Sequence, residues 1–371
     1  MKITRKTFVK GLALGTISLP VFLRGCMDEN FAQKETLPGQ INNRRYKWKM
    51  VTTWPPNYPI LGEGCTLFAE LVNKMSSGRM EIQVFGGGEL VPALETFDTV
   101  RNGGAEMGSG AAYYWAGKIP AAQFFATVPF GMNAQQMTTW LYAGGGMELW
   151  EELYSQFNLI PMPAGNSGVQ MGGWFNREIN SIEDLKGLKM RIPGLGGKVL
   201  EKAGGSAVLL AGGELYTGLE RGIIDATEWL SPFHDFSMGF HEISKYYYSP
   251  GWHEPGTSLE FIINKEKYEE LPDDLQAIIK AAGWQAHTWV FSQLEAKNGE
   301  YLEKLKAAEV DIRTFPKEVL DQLRIYTKEV IDELVAKDEF AQKVYASYLD
   351  FSKKAAAWSE LSEKAYYNTL Q

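Results

Sequence analysis

Tyr46-Lys47-Trp48-Lys49-Met50-Val51 alternates apolar and basic residues, the period of a strand with one face toward a core and the other toward water. Outward from it, the pattern predicts a helix from about Gly62 to Met75. A second strand follows at Met80-Glu81-Ile82-Gln83-Val84-Phe85, ended by Gly86-Gly87-Gly88, then a helix over Pro92 to Arg101 and a short strand from Ala105 to Ala112. Strand, helix, strand, helix, strand specifies an α/β fold with a mostly parallel sheet and helices on its faces.

A helical segment around Ala134 to Phe157, interrupted near Gly144-Gly145-Gly146, leads into an extended run from Leu159 to Phe175. The alternation then restarts with strands at Leu188 to Ile192, Ala207 to Leu210 and Ile223 to Ala226, which marks a second lobe. Leu259-Glu260-Phe261-Ile262-Ile263 is a further strand. Leu271-Pro272-Asp273-Asp274 opens a long helix, with proline in its first turn and acids near its positive end, expected to reach about residue 308. After a strand at Val310 to Thr314 the chain reads as helical to its end. There Phe340, Val344, Tyr348, Phe351, Ala355 and Trp358 form an apolar stripe that packs either on its own lobe or on a second copy.

Lys2, Arg5, Lys6 and Lys10 precede an uncharged apolar stretch from Gly11 to Leu23, shorter than the ~20 residues needed to cross a bilayer. Residues 1–25 therefore read as an export signal, and 26–44 as a linker. Thr4-Arg5-Lys6-Thr7-Phe8-Val9-Lys10 resembles a twin-arginine signal with Lys6 in place of the second arginine. Leu23-Arg24-Gly25-Cys26 resembles a lipoprotein cleavage box, so Cys26 is either lipidated or removed with the signal. Cys65 falls on the apolar face of a predicted helix and reads as a buried thiol.

The remainder, about 330 residues, suits two lobes better than one core. A composition of 45% hydrophobic and 22% charged residues is that of a globular protein. The net charge of -8 argues against a nucleic-acid partner, which needs clustered Lys and Arg, yet one buried arginine can still hold an anion. His234, His241, His253 and His287 include no pair at helical metal-site spacing, which argues against zinc hydrolase chemistry. Gly86-Gly87-Gly88 lacks the Gly-Lys-Ser sequence of a phosphate cradle.

Asn176-Arg177-Glu178-Ile179-Asn180-Ser181-Ile182-Glu183-Asp184-Leu185-Lys186-Gly187-Leu188-Lys189-Met190-Arg191-Ile192-Pro193 carries the most information about function. Leu188, Met190 and Ile192 share one strand face and Lys189 and Arg191 the other, which taken alone is also what a solvated basic edge looks like. The stretch from Asp184 to Arg191 resembles the signature of the extracytoplasmic solute receptors of TRAP transporters. So does Glu214-Leu215-Tyr216-Thr217-Gly218-Leu219-Glu220-Arg221-Gly222-Ile223-Ile224-Asp225-Ala226, and the resemblance runs from about Tyr46 to Ile331. Val169 to Phe175, Thr227-Glu228-Trp229 and Tyr246 to Gly256 resemble the branch that binds 2-oxo and 2-hydroxy acids together with a metal cation.

That resemblance implies a two-lobed periplasmic binding protein fold and an exported receptor, periplasmic or otherwise extracytoplasmic. Its partners would be a small carboxylate ligand, the TRAP membrane subunits and a second copy of the chain. The expected lobes are 45–168 with about 257–300, and 169–256 with about 301–337, leaving 338–371 as a C-terminal helix that helps form a homodimer. Arg191 would grip the substrate carboxylate through its planar fork. Gln170, Glu228 and the Trp229 carbonyl would hold sodium or calcium, with Glu254 as a further donor, since all are hard oxygen ligands. Tyr113 or Tyr114 would donate a hydroxyl to the ligand and Trp229 would cover its carbon chain. Trp54, Trp115, Trp174 and Trp252 divide between core and cleft lining.

Three alternatives remain open at this point. Glu228 and Glu254 could be ordinary surface acids. The cation could instead serve a metal-dependent enzyme acting on an oxo acid, with Glu228 or Glu254 as base; His253 is the tempting proton carrier, although its aromatic Pro-Gly-rich loop points to a structural role. A receptor for an ATP-driven importer would share the lobes without these stretches.

Overall fold

A computed structural model describes residues 44–370; the export signal, Cys26 and most of the linker lie outside the described residues. The first strands are β1 (Tyr46–Thr52), β2 (Met80–Phe85), β3 (Met107–Gly110), β4 (Leu159–Asn166), β5 (Gly173–Phe175) and β6 (Lys189–Arg191). They are followed by β7 (Ser206–Val208), β8 (Ala226–Thr227), β9 (Tyr246–Ser249), β10 (Ser258–Asn264) and β11 (Asp311–Thr314). One sheet has the order β2-β1-β3-β10-β4 and the other β11-β9-β5-β8-β6-β7. Each contains one reversed strand, β10 in the first and β5 in the second, and all other pairs are parallel.

In β1 the side chains of Tyr46, Trp48 and Met50 are buried while Lys47 and Lys49 face solvent, as the alternation requires. The expected strand from Ala105 to Ala112 is shorter. It ends at Gly110, where the indole of Trp115 folds back to within 3.1 Å of the position a Cβ would take, and Ala112–Trp115 is a 3-10 turn. The helix expected over Pro92 to Arg101 begins as a 3-10 turn, Ala93–Glu95, before Thr96–Arg101 becomes α-helical. The extended run from Leu159 to Phe175 is two strands in different sheets, because residues 167–172 carry the chain across. The strand expected at Ile223 to Ala226 forms instead at Ala226–Thr227, with Ile223 49% exposed.

The chain passes between the sheets three times, through 167–172, through 250–257 and along the helix Asp273–Ala307. The first two crossings hold each other: the Gln170 N–H donates to the Glu254 carbonyl (3.2 Å) and the Gly251 N–H to the Gln170 carbonyl (2.8 Å). The helix has 35 residues and a length of about 52 Å. Its Val290 fills space left by Gly64 and Gly165, and nearer its end Tyr301 meets Phe233 edge-on at 4.8 Å.

The helices Lys317–Val335 and Glu339–Leu361 follow. The C-terminal stripe divides. Val344 and Tyr348 are buried, and the Tyr348 hydroxyl accepts the Met132 N–H at 2.8 Å; Phe351 is half-buried, and Trp358 and Leu361 are 66% and 79% exposed. Among the described residues no helix is long and apolar enough to cross a membrane.

Candidate functional site

Arg191 ends β6, flanked by β7 and β8, and its backbone carbonyl accepts the N–H of Glu228 at 3.1 Å, just past the end of β8. This parallel pairing sets Glu228 beside Arg191 although 37 residues separate them. Arg191 is 1% exposed and Glu228 fully buried. Lys189, one pleat earlier, faces solvent, so the strand's polar face is wet at one end and dry at the other.

The guanidinium is held on several sides. Nη1 donates to the Glu228 carboxylate and to its main-chain oxygen (3.0 Å), Nη2 to the Tyr114 hydroxyl (3.3 Å), and Nε to the Leu210 carbonyl (3.4 Å). The ring of Trp229 lies 5.0 Å from the guanidinium carbon, a cation–π contact. Burial works against the charge of Arg191, but Glu228 beside it raises its pKa above the ordinary value. Burial likewise pushes Glu228 up to about 7, against the pull of Arg191.

Glu254, on the second crossing segment, is 2% exposed and gathers three donors on Oε2: Gln170 Nε2 (2.7 Å), Thr257 Oγ1 (2.5 Å) and Tyr113 OH (3.4 Å). Burial, aided by the nearby Glu228, lifts it to about 7. Gln170 Oε1 is buried with no hydrogen-bond partner, an arrangement that costs about 1–3 kcal/mol unless something binds there. His253 Nε2 lies 3.3 Å from Glu228 Oε2, and its Nδ1 is also without a partner. Burial lowers the imidazole to about 4, so it is neutral at physiological pH. Ligating atoms of Glu228, His253 and Glu254 all lie within 4.8 Å of one another. Carboxylate and amide oxygens fit a hard cation such as sodium or calcium.

The structure thus brings Arg191, Gln170, Glu228, Trp229, Glu254 and Tyr113 into one buried region where the two sheets meet. Glu228 and Glu254 are not surface acids. Tyr113 faces Glu254 while Tyr114 faces Arg191, and the Trp229 ring covers the guanidinium. The other aromatics serve packing: Trp115 donates to Glu260, Trp174 stacks on Tyr247 at 4.1 Å and donates to Asp235, Trp54 donates to Ser109, and Trp252 stacks on Phe130 at 5.7 Å. Tyr113 and Tyr114 also line a cleft of about 700 Å³ bordered by Leu195, Lys198, Leu209 and Val330, which Arg191 itself does not line.

Sequence reasoning missed Tyr58. Its hydroxyl accepts the Trp229 indole N–H at 2.6 Å, its ring stacks on His234 at 4.9 Å, and the next residue, Pro59, offers its carbonyl to His234 Nε2 at 2.8 Å. Ile60 follows with φ +59, a conformation a β-branched residue rarely adopts, held by Glu63 accepting its N–H at 2.9 Å. A Trp-Pro-Pro loop has no periodicity that could have pointed to it. His253 is singled out by the sequence only as a tempting proton carrier in a structural loop; its place against the buried Glu228 carboxylate is not legible there.

A family model described as "Bacterial extracellular solute-binding protein, family 7" (DctP) matches residues 50–338. A monocarboxylate 2-oxoacid-binding periplasmic protein of Nostoc sp. is 40% identical over 338 residues, 91% of this chain and 92% of that one. A crystal structure of a TRAP periplasmic solute-binding protein from Colwellia psychrerythraea, with bound calcium and pyruvate, is 45% identical, covers 88% of this chain and 100% of its own, and superposes with TM-score 0.86. Another from Pseudoalteromonas atlantica, with bound sodium and pyruvate, is 44% identical over the same shares with TM-score 0.87. The two-sheet α/β architecture with long C-terminal helices is theirs as well. The chain belongs to family 7 of the bacterial extracellular solute-binding proteins, the periplasmic receptors of TRAP transporters.

Proposed function

We propose that the protein binds a small 2-oxo or 2-hydroxy monocarboxylate, pyruvate- or lactate-like, together with sodium or calcium, and delivers it unchanged to TRAP membrane subunits. The two sheets with their helices, 45–168 plus about 257–300 and 169–256 plus about 301–337, act as lobes that close on the ligand. Arg191 takes the carboxylate; Gln170, Glu228, Glu254 and the Trp229 carbonyl hold the cation. Tyr113 and Trp229 complete the ligand's surroundings. The C-terminal helix pairs with a second copy, and Cys26 is a candidate lipid anchor.

One observation carries this reading: a fully buried arginine shares a dry site with two buried carboxyls and a Gln170 oxygen that lacks any partner. The relatives that bind pyruvate with calcium or sodium support it. The test is calorimetry with pyruvate in sodium or calcium, and again in sodium-free choline buffer with EDTA. Arg191→Ala removes a charge-assisted contact worth about 1.5–3 kcal/mol, and Arg191→Lys, which lacks the fork, restores little. If Arg191→Ala keeps the full ligand-dependent rise in melting temperature, the carboxylate site lies elsewhere. If recovered pyruvate has been chemically altered, delivery without turnover is wrong.

A further inference from the structure

We infer that the Glu228 carboxylate occupies the seat on Arg191 that a bound carboxylate needs, and that a cation empties this seat by drawing Glu228 toward Gln170, His253 and Glu254. The inference rests on the reading that the site takes a monocarboxylate with a cation. It adds a role for Glu228 beyond that of a ligand: an internal competitor that makes acid binding depend on the cation.

A guanidinium has five N–H groups, and a carboxylate gripped at both oxygens needs two that run parallel on adjacent nitrogens. In Arg191, Nη1 is engaged by the Glu228 main-chain oxygen and carboxylate, Nε by the Leu210 carbonyl and Nη2 by the Tyr114 hydroxyl. One N–H, on Nη2, is left over, too few for a two-point grip. The edge formed by Nε and Nη2 is closed by a main-chain carbonyl that cannot leave without moving its loop. Nη1 is held by the Glu228 main-chain oxygen and by the Glu228 carboxylate, and of these only the carboxylate can leave by side-chain rotation, which gives Nη1 a free N–H to set beside the one left on Nη2.

That carboxylate also has somewhere to go. Its second oxygen already lies 3.3 Å from His253 Nε2, and its ligating atoms are within 4.8 Å of those of His253 and Glu254. Gln170 Oε1 is buried there without a partner. Charge adds a reason for the order. With both carboxyls ionised, Arg191, Glu228 and Glu254 leave the buried site one negative charge in excess, and a monoanion entering alone would add another where desolvated charge is costly. A cation between the carboxylates cancels that excess, as sodium, or reverses it, as calcium, and frees an N–H on Nη1 in one move.

Direct contact between cation and acid would also couple their binding, so the experiment must isolate the competitor. Pyruvate is titrated calorimetrically into the full mature chain in sodium-free choline buffer with EDTA, and again with calcium. Without cation, Glu228→Gln is expected to bind pyruvate about tenfold more tightly than wild type, the factor a 1.4 kcal/mol contact represents, while calcium improves its affinity far less than it improves that of wild type. Glu254→Gln removes the same charge close by without touching the fork, so it reads the charge effect alone and is expected to tighten cation-free binding clearly less than Glu228→Gln does, by about threefold at most. Glu228→Asp keeps the charge but shortens its reach, and is expected to tighten cation-free binding as well. It supplies the answer if Glu228→Gln shows no cooperative melting. No tightening in the Glu228 variants, or equal tightening in Glu254→Gln, overturns the inference. If wild type binds pyruvate in neither buffer, the functional reading itself has failed instead.

Discussion

Glu260 lies on β10 between β3 and β4, fully buried, with Trp115 Nε1 donating to one carboxyl oxygen (2.5 Å) and the Tyr154 hydroxyl to the other (2.9 Å). No cation is paired with it among the described residues. Burial pushes its pKa from 4.5 up to about 8, the two hydrogen bonds only partly opposing that. The folded chain therefore keeps a proton that the unfolded chain releases above pH 4.5. Folding binds the extra proton, so stability falls as pH rises from about 4.5 to about 8 and is level outside that window. At about 1.4 kcal/mol for each pH unit, this group alone makes the fold about 3 kcal/mol less stable at pH 7 than below pH 4.5. Glu260→Gln keeps the shape, accepts from Trp115 through its amide oxygen and donates to the Tyr154 oxygen through its nitrogen, and it does not titrate. Urea unfolding of both proteins from pH 5 to pH 8 should show the variant gaining on wild type by about 3 kcal/mol across the range. The other buried carboxyls are common to both proteins and cancel in the difference. A difference that stays constant over that range would refute the assignment of a buried, proton-holding carboxyl to Glu260.

Two further outcomes follow from packing. A Cβ at Gly251 would lie 2.3 Å from the Gln170 carbonyl oxygen, so Gly251→Ala must push that crossing segment aside. It is expected to cost about 1–3 kcal/mol in urea unfolding and to reduce the calcium-dependent rise in melting temperature, whereas an unchanged rise would mean that Gln170 is not held by this contact. Because Val344 and Tyr348 are packed against the rest of the chain while Trp358, Leu361, Tyr366 and Tyr367 are 62–79% exposed, a chain ending at Ser352 should keep its melting temperature and pyruvate affinity but become monomeric by light scattering. A monomer before truncation would assign those exposed residues no role in self-association.

Much of the fold is legible because apolar period and turn residues agree along the chain. β1, β2 and the helix after Pro272 fall within a few residues of where the pattern places them. Two-residue β8 and three-residue β5 are too short to show a period, and only their neighbours in the sheet define them. Periodicity put Lys189 and Arg191 on one face, but which of them is dry depends on Glu228, Trp229 and Leu210 closing over the end of the strand. Arg191, Glu228 and Gln170 are legible only through motif likeness, since nothing local marks a glutamate as buried. Glu260 looks like the polar position of an alternating strand and is instead core, because helices cover both faces of the first sheet. The orphaned oxygen of Gln170 arises from a chain crossing and the contact of Tyr58 with Trp229 from the loop after β1, and no local pattern encodes either.

Those crossings also constrain how the molecule can move. Two separate bodies have six ways to shift relative to one another. Here 167–172 and 250–257 run side by side and are tied at Gln170, Gly251 and Glu254, and a continuous helix of 35 residues makes the third link. Sliding or pulling the lobes apart would break that pairing or bend the helix, whereas turning about the paired segments strains only a few backbone torsions. Points on an axle stay nearly still while points far from it sweep through an arc. Were the two sheets to turn about these segments, Gln170 and Glu254 would lie at the axle and their donor atoms would keep their spacing. Tyr58 and Tyr114, which reach Trp229 and Arg191 from the loops after β1 and β3, would then be contacts that such turning makes or breaks.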